Sequence, residues 1–351
     1  METLALFAIL RMLFLAILTF SLAMALTPLL TYVLYKFNLG KHIRDTGETP
    51  IYSALHAAKR GTPTMGGVLI WMTTLLVTFF FWILGYLAPS AFKSLNFLSR
   101  SETWLPLFAL TAAALVGLVD DLMNVWGIGA KSGGFRVRHR MILYAIIAAV
   151  GAWWFYFKLD WDIIHVPLFG DFIIGWWYIP LFILVIFSTA HALNLVDGLD
   201  GLAGGVTMII LAAYGVIAFT QHHYDLAALI AVIIGSLLAF LWFNIYPARF
   251  FMGDTGAMSL GVVLGILAML TNTALLLPII GFILVIEALS DIIQFASKKF
   301  WGRKIFKSAP LHHHLEASGW PEPKVVMRFW VISGVMAMLG MAIFLIDRVL
   351  T

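Results

Sequence analysis

The sequence of 351 residues holds no cysteine, which excludes disulfides and thiolate metal centres. Charge is scarce as well. Only 11% of the residues are Asp, Glu, Lys or Arg, while 62% are hydrophobic; a soluble domain carries roughly 25% charged residues. No water-soluble fold hides that much apolar surface, because even large domains leave part of it exposed. The solvent for most of this chain is lipid. Long linkers, short-period repeats and low-complexity tracts are missing too, which points to a single polytopic membrane domain over residues 1–351. A cleaved leader is not expected. Arg11 and Ala23-Met24-Ala25 frame an apolar run, but a signal core ends after ~7–15 residues. This run continues to Val33, a membrane-spanning length.

What the sequence does have is a series of such runs. Stretches of about 17–25 apolar residues mark membrane spans. They fall near 12–36, 66–88, 104–120, 139–157, 176–195, 202–220, 226–243, 256–271, 275–297 and 325–347. The fold class read from them is an all-α integral membrane protein of about ten transmembrane helices. With ten spans the loops alternate between two sides. Seventeen of the twenty-two Lys and Arg residues share one side, among them Lys41, Arg44, Lys59, Arg60, Lys131 and Arg140. Such an excess marks the cytoplasmic face, so both termini are expected to be periplasmic. It also accounts for the net charge of +4 without nucleic acid as a partner. On the other side, alternation with Pro167 and Gly170 over 158–175 predicts a short periplasmic hairpin. Trp153, Trp154, Trp161, Trp176 and Trp177 around it suit an interfacial belt, not a base-stacking platform.

Polar residues carry the functional information, because lipid makes each one costly. Asp120, Asp121, Asp197, Asp200 and Asp254 all fall at the cytoplasmic ends of apolar runs. Singly, an Asp there is an ordinary helix cap, and Asp200 and Asp254 are placed to be N-caps of the following spans. Five on one side, three of them in Gly-rich turns, suggest more. Gathered carboxylates repel unless a cation neutralises them, and Mg²⁺ takes one or two carboxylates together with phosphate oxygens and water. Glycines beside Asp197, Asp200 and Asp254 allow close backbone approach and leave N–H groups for phosphate. Carboxylates, Mg²⁺ and backbone donors together describe phosphoryl transfer from a nucleotide. A transporter would place its acids near mid-bilayer instead. Two more patches share this face. Lys59-Arg60-Gly61-Thr62-Pro63-Thr64 offers cations and hydroxyls, and Leu311-His312-His313-His314-Leu315-Glu316 offers imidazoles for phosphate. Adjacent histidine side chains point in different directions, which argues against a transition-metal site.

Lys59 to Gly67, Val119-Asp120-Asp121, Asn194 to Gly205, Asn244 to Gly256, and Ala309-Pro310-Leu311-His312-His313-His314 with Gly319-Trp320-Pro321-Glu322-Pro323 together resemble a known family. It is the phospho-N-acetylmuramoyl-pentapeptide-transferases, within the polyprenyl-phosphate N-acetylhexosamine-1-phosphate transferase superfamily. The likeness covers nearly the whole chain, in order. Asp-Asp and Asn-x-x-Asp-Gly-x-Asp-Gly fit the superfamily broadly, whereas the His triplet followed by Gly-Trp-Pro-Glu-Pro points to this family. The resemblance implies a multi-pass protein of the bacterial inner (plasma) membrane, frequently a homodimer, with a Mg²⁺-dependent active site in a cytoplasmic cleft. The implied reaction moves phospho-N-acetylmuramoyl-pentapeptide from UDP-N-acetylmuramoyl-pentapeptide to undecaprenyl phosphate. It gives lipid I and UMP in the first membrane step of peptidoglycan synthesis.

By position, Asp254 is similar to the family's Mg²⁺ ligand, and Asp120 and Asp121 resemble its paired acids near the metal and pyrophosphate. Asn194, Asp197 and Asp200 match the nucleotide-side loop, and Phe251 matches an aromatic that stacks on uracil. Lys59, Thr64, Asn244, His312, His313 and His314 match polar residues lining the cleft, His312 being expected to serve catalysis with the acids. Either Asp120 or Asp121 is then the group that deprotonates the acceptor phosphate, and a covalent route through an Asp nucleophile has chemical precedent. Four residues depart from the family pattern. Leu122 and Asn124 replace a Tyr and a Lys, with Lys131 or Arg136 as substitutes for the lost cation. Arg140 replaces a Lys, and Asp291, facing Lys298 or Arg328, replaces a Ser. The competing readings are a sister enzyme using UDP-N-acetylglucosamine and a transporter for a nucleotide or lipid-linked sugar.

Overall fold

The computed structural model describes residues 2–40, 59, 61–99, 102–129 and 133–350. Lys41, Arg44, Arg60 and Lys131 of the sequence reading lie outside them. Helices α1 (Glu2–Lys36), α2 (Val68–Leu87), α3 (Trp104–Val125) and α4 (Val137–Lys158) precede a two-stranded sheet, β1 (Ile163–Val166) and β2 (Gly170–Ile173). After it come α5 (Tyr178–Val196), α6 (Leu202–Thr220), α7 (Tyr224–Asn244), α8 (Gly253–Leu270), α9 (Leu277–Ile280), α10 (Phe282–Trp301), α11 (Leu311–Glu316) and α12 (Glu322–Leu350). Among the described residues, nine helices are long and apolar enough to cross a membrane: α1 to α8 and α12. A 20-residue helix is about 30 Å long, the thickness of the hydrocarbon layer.

The expected span at 275–297 is built differently. Pro278 starts the single turn of α9, the chain breaks at Gly281, and α10 carries Glu287, Asp291, Lys298 and Lys299. Too polar on one face to count with the nine, α10 nevertheless completes a tenth passage between the two ends of the bundle. At one end Asn272 receives the His165 N–H, and at the other Glu287 meets His312.

Helix α8 is the axis of the bundle. Every residue from Gly253 to Leu270 is buried, and its main neighbours are α3 and α5. Lipid gives helices no hydrophobic reason to associate, so packing decides, and small residues let backbones approach. At Gly117 an added Cβ would run into the Asp254 carbonyl, and at Gly261 it would stand 2.7 Å from the Ala190 Cα. By contrast α1 lies at the rim, exposing Leu4, Leu6 and Ile17, as a lipid-facing helix should. Hydroxyls inside the bundle bond back to their own helix, Thr27 to the Ala23 carbonyl and Thr74 to that of Ile70, each at 2.8 Å.

The expected hairpin is present, with His165 opposite Asp171 and Val166 opposite Gly170. His165 ties it down. One ring nitrogen lies 2.6 Å from Asp171 and the other 2.6 Å from Asp347 on α12, whose second oxygen accepts the Leu168 N–H at 2.7 Å. Burial alone would lower the His165 pKa, but the hydrogen bonds to the two carboxylates raise it above the ordinary histidine value.

Candidate active site

At the opposite end from the hairpin, four helices each bring one polar group to a common centre. Arg140, in the first turn of α4, places Nη2 2.6 Å from Asp120 Oδ2 and 3.0 Å from Asp254 Oδ2. Its Nη1 donates to Asn194 Oδ1 at 3.0 Å, and Asn194 Nδ2 donates to Asp254 Oδ1 at 2.5 Å. The other Asp120 oxygen accepts the Phe135 N–H at 2.5 Å. Like charges on α3 and α8 are thus held together by one cation between them. In the sequence Arg140 stood out only as an Arg in place of a Lys. Its rigid fork lets one side chain serve three partners, which the point charge of an ammonium does less directionally.

Asp121 has a different task. Its carboxylate accepts the N–H groups of Asp254 at 3.1 Å and Thr255 at 3.0 Å, and the Thr64 hydroxyl lies 3.4 Å away. The first N–H groups of a helix have no partner within it, and an anion there suits the helix dipole. Asp121 on α3 is therefore the N-terminal cap of α8. Neither Asp200 nor Asp254 caps its own helix: Gly201 and Met252 hold the cap positions, without a side-chain hydrogen bond.

A second cluster lies beside the first. Lys59 Nζ is 2.7 Å from Asp200 Oδ1 and 2.5 Å from Glu322 Oε1, and it sits 5.9 Å from the centre of the Phe251 ring. Glu322 also accepts the Asp200 N–H at 2.7 Å, and Asp200 accepts that of Ala248 at 3.0 Å. Burial by itself would lower the Lys59 pKa; the two carboxylates outweigh it and lift the ammonium above the usual lysine value. Asn244 spends its amide on backbone, accepting from the Gly201 N–H at 3.0 Å and donating to the Phe250 carbonyl at 2.9 Å. It braces the 198–201 turn against the 245–250 loop. Backbone bonds of 2.8 Å from Gly66 and Gly67 to Phe251 and Met252 bring the 59–67 segment to the same place. Asp197, half-buried, follows α5 and precedes this turn.

Residues 59–70 match a model described as phospho-N-acetylmuramoyl-pentapeptide-transferase signature 1, and residues 103–272 match glycosyl transferase family 4. The chain is 38% identical over 324 residues to the phospho-N-acetylmuramoyl-pentapeptide-transferase of Chloroflexus aurantiacus, covering 89% of this chain and 83% of that one. The protein of the same name from Clostridium novyi is 35% identical over 331 residues, 94% and 95% of the two chains. That from Moorella thermoacetica is 38% identical over 322 residues, 90% and 92%. The chain belongs to the phospho-N-acetylmuramoyl-pentapeptide-transferase family. With its apolar helices, that makes it a multi-pass bacterial membrane protein.

Both clusters fall almost wholly inside the matched segments. The histidine tract does not. The Nδ1 atoms of its three rings have different partners, although the His312 and His313 rings stay in contact with centroids 4.1 Å apart. His312 turns inward to Glu287 on α10, with Nδ1 2.8 Å from Oε2; His313 Nδ1 lies 2.8 Å from Glu316; His314 Nδ1 accepts the Lys307 N–H at 3.1 Å. Glu287 escaped the sequence reading, although an ionisable residue inside an apolar run was the available signal. Arg136, one candidate to replace the cation lost at Asn124, is exposed at the start of α4. Asp291 is half-buried on α10, while Arg328 lies over the Trp320 ring at 4.3 Å.

The donors that suit a hard divalent ion are Asp254 and Asp120, two carboxylates converging on one cationic nitrogen. Among the described residues no three or more His, Cys, Asp or Glu side chains assemble into a metal-holding group. That donor set fits Mg²⁺, which takes one or two carboxylates and completes its shell with phosphate and water.

Proposed function

We propose that the chain transfers phospho-N-acetylmuramoyl-pentapeptide from UDP-N-acetylmuramoyl-pentapeptide to undecaprenyl phosphate, forming lipid I and releasing UMP. The observation that carries this reading is the convergence of Asp120 and Asp254 on Arg140 in a chain of this family. An oxygen of the lipid phosphate bonds to the phosphorus attached to the sugar, and the bond from that phosphorus to the UMP oxygen breaks. Both substrates are anionic, so positioning and electrostatics supply most of the catalysis. Asp254, with Asp120 beside it, would hold Mg²⁺, which would supply neutralisation of charge on the departing phosphate.

The chain's own residues do the remainder. Arg140 sets the spacing of the two acids. Asp121 is committed to two backbone N–H groups, so it works by fixing Asp254, and Asp120, which shares the Arg140 cation with Asp254, is the acid that receives the acceptor's proton. The second ionisation of a phosphate lies near pH 6, so that help is modest. Lys59 and the half-buried Phe251 offer the nucleotide a cation and an aromatic face, with Asn194, Asp197 and Asp200 on the same side. The histidine tract reaches the same side through His312, whose Nε2 lies against Gly198. The acidic end points to the cytoplasm, because the Lys- and Arg-rich loops are there, and the lipid acceptor enters from the bilayer.

The test is UMP release by the purified full-length chain in detergent, from both substrates, with Mg²⁺ or EDTA. Release that requires Mg²⁺ and the lipid acceptor is expected, and Asp254→Asn should cost about 10²–10³-fold in turnover while the protein stays folded. Near-normal turnover of that variant would sink the assignment. UMP formed from UDP-N-acetylglucosamine alone would identify the sister enzyme.

A further inference from the structure

Outside the two matched segments, at the end of the bundle that holds the acids, Glu287 is a buried and fully committed carboxylate. Glu287 and His312 are both 0% exposed. Glu287 Oε1 accepts the backbone N–H of His312 at 3.0 Å, and Oε2 lies 2.8 Å from its Nδ1. Both oxygens of this carboxylate are spent on a single residue. An ionised carboxylate only accepts, so the Nδ1 atom carries a proton, and Nε2 is left as the atom that can act. That nitrogen is buried without a hydrogen-bond partner. It rests against Gly198, where a side-chain Cβ would collide with it. Gly198 lies between Asp197 and the Lys59-paired Asp200, in the turn that follows Asn194.

A buried acid in a mostly apolar helix is costly, and removing it in favour of an apolar pair is often neutral or stabilising. Its presence here calls for a use. An acid that fixes the protonated nitrogen of a histidine aims the other nitrogen at its target, a division of labour that recurs in unrelated enzymes. Taking as its basis the proposed role of the acidic end, we propose that Glu287 is a positioning residue for His312. It holds the ring so that Nε2 faces the 194–201 turn and accepts a hydrogen bond from an O–H or N–H group of the bound sugar nucleotide. Gly198 is the gap through which that nitrogen is presented. Glu287 itself touches no substrate.

Three variants of the full-length chain, assayed by UMP release in detergent, test this. In Glu287→Gln the amide presents an N–H to Nδ1 or gives up the backbone contact, so the ring loses its fixed tautomer. Turnover is expected to fall about 10²–10⁴-fold, with KM changed less than about threefold and thermal unfolding still cooperative. In a His312→Ala background the same substitution should add almost nothing, because neighbours that act as one unit are not additive. His312→Asn keeps an N–H where Nδ1 stood but has nothing in place of Nε2. It should therefore fold with Glu287 satisfied and still lose turnover, which keeps the idea testable if Glu287→Gln does not fold.

An equal loss from Glu287→Gln in both backgrounds would mean that Glu287 merely anchors α11 to α10, and would overturn the inference. So would near-normal turnover of His312→Asn. A Mg²⁺-dependent wild-type reaction accompanying either result would leave the proposed function standing. No UMP from folded wild-type protein would remove both.

Discussion

Asp121 is the residue whose assignment changes most between sequence and structure, and replacing it makes the sharpest test of the capping argument. Asp121→Ala removes the acceptor of two buried N–H groups at the start of α8. A buried donor left unmet costs about 1–3 kcal/mol, and loss of an anion at a helix N-terminus adds about 0.3–1 kcal/mol. Partial relaxation of the turn offsets some of this, so about 2–4 kcal/mol is expected. For a chain of this length each kcal/mol moves the midpoint by at most about 2 °C. The Ala variant should then unfold about 4–8 °C lower in a thermal scan in detergent. Asp121→Asn keeps one oxygen for one N–H, so it should lose about half as much stability and retain measurable UMP release, because Asp254 is still held. If Asn and Ala variants are equally inactive while both melt at the wild-type temperature, Asp121 acts on the substrate and the capping account is wrong.

Two further outcomes follow from the same geometry. Arg140→Met leaves the buried Asp120 and Asp254 without their shared cation, which should cost about 3–5 kcal/mol; Arg140→Lys keeps the charge and should fall between Met and wild type in both melting temperature and UMP release, so a Met variant as stable as wild type refutes the bridge. At the other end, His165 lies between Asp171 and Asp347; burial lowers its pKa, but the hydrogen bonds to the two carboxylates outweigh this and raise it. Its contribution to stability is fully present below the unfolded value of about 6.5 and disappears as pH rises through the elevated folded value. Melting temperatures taken from about pH 6 to about pH 9 should fall more steeply for wild type than for His165→Gln, and equal slopes would dissociate the hairpin from this titration.

Much of the architecture is legible in the apolar runs, since each of nine runs is long enough to settle as a helix regardless of its neighbours. The run at 275–297 is less so, because Pro278, Gly281 and the polar face of α10 alter its form without erasing its hydrophobicity. Within the site, the clustering of Asp120, Asn194 and Asp254 follows from their shared position at one end of adjacent spans. What each does there is another matter. Asp121 and Asp120 are neighbours in sequence with the same chemistry; only the helix direction turns one toward Arg140 and the other toward α8. Asn244 reads as a ligand-binding amide yet is satisfied by the backbone of Gly201 and Phe250. Arg140 and Glu287 were passed over for opposite reasons. The first looked like a conservative exchange; the second was concealed in a hydrophobic stretch whose period gives no hint of the histidine 25 residues later.

The division of partners around Asp120 and Asp121 also fixes an order of events while the protein is being made. Translation delivers Arg140 only twenty residues after Asp120, so the first acid finds its counter-ion in the next helix to enter the membrane. The donors for Asp121 come 133 and 134 residues later, after four more helices have been inserted. Throughout that interval the second carboxylate has to stay at the water-facing end of α3, where hydration makes it tolerable. The final descent of α8 between α3 and α5 is therefore the step that seals the acid away from water. Until that step, a ribosome-bound nascent chain truncated before Gly253 should leave Asp121 open to solvent while Asp120 is already paired.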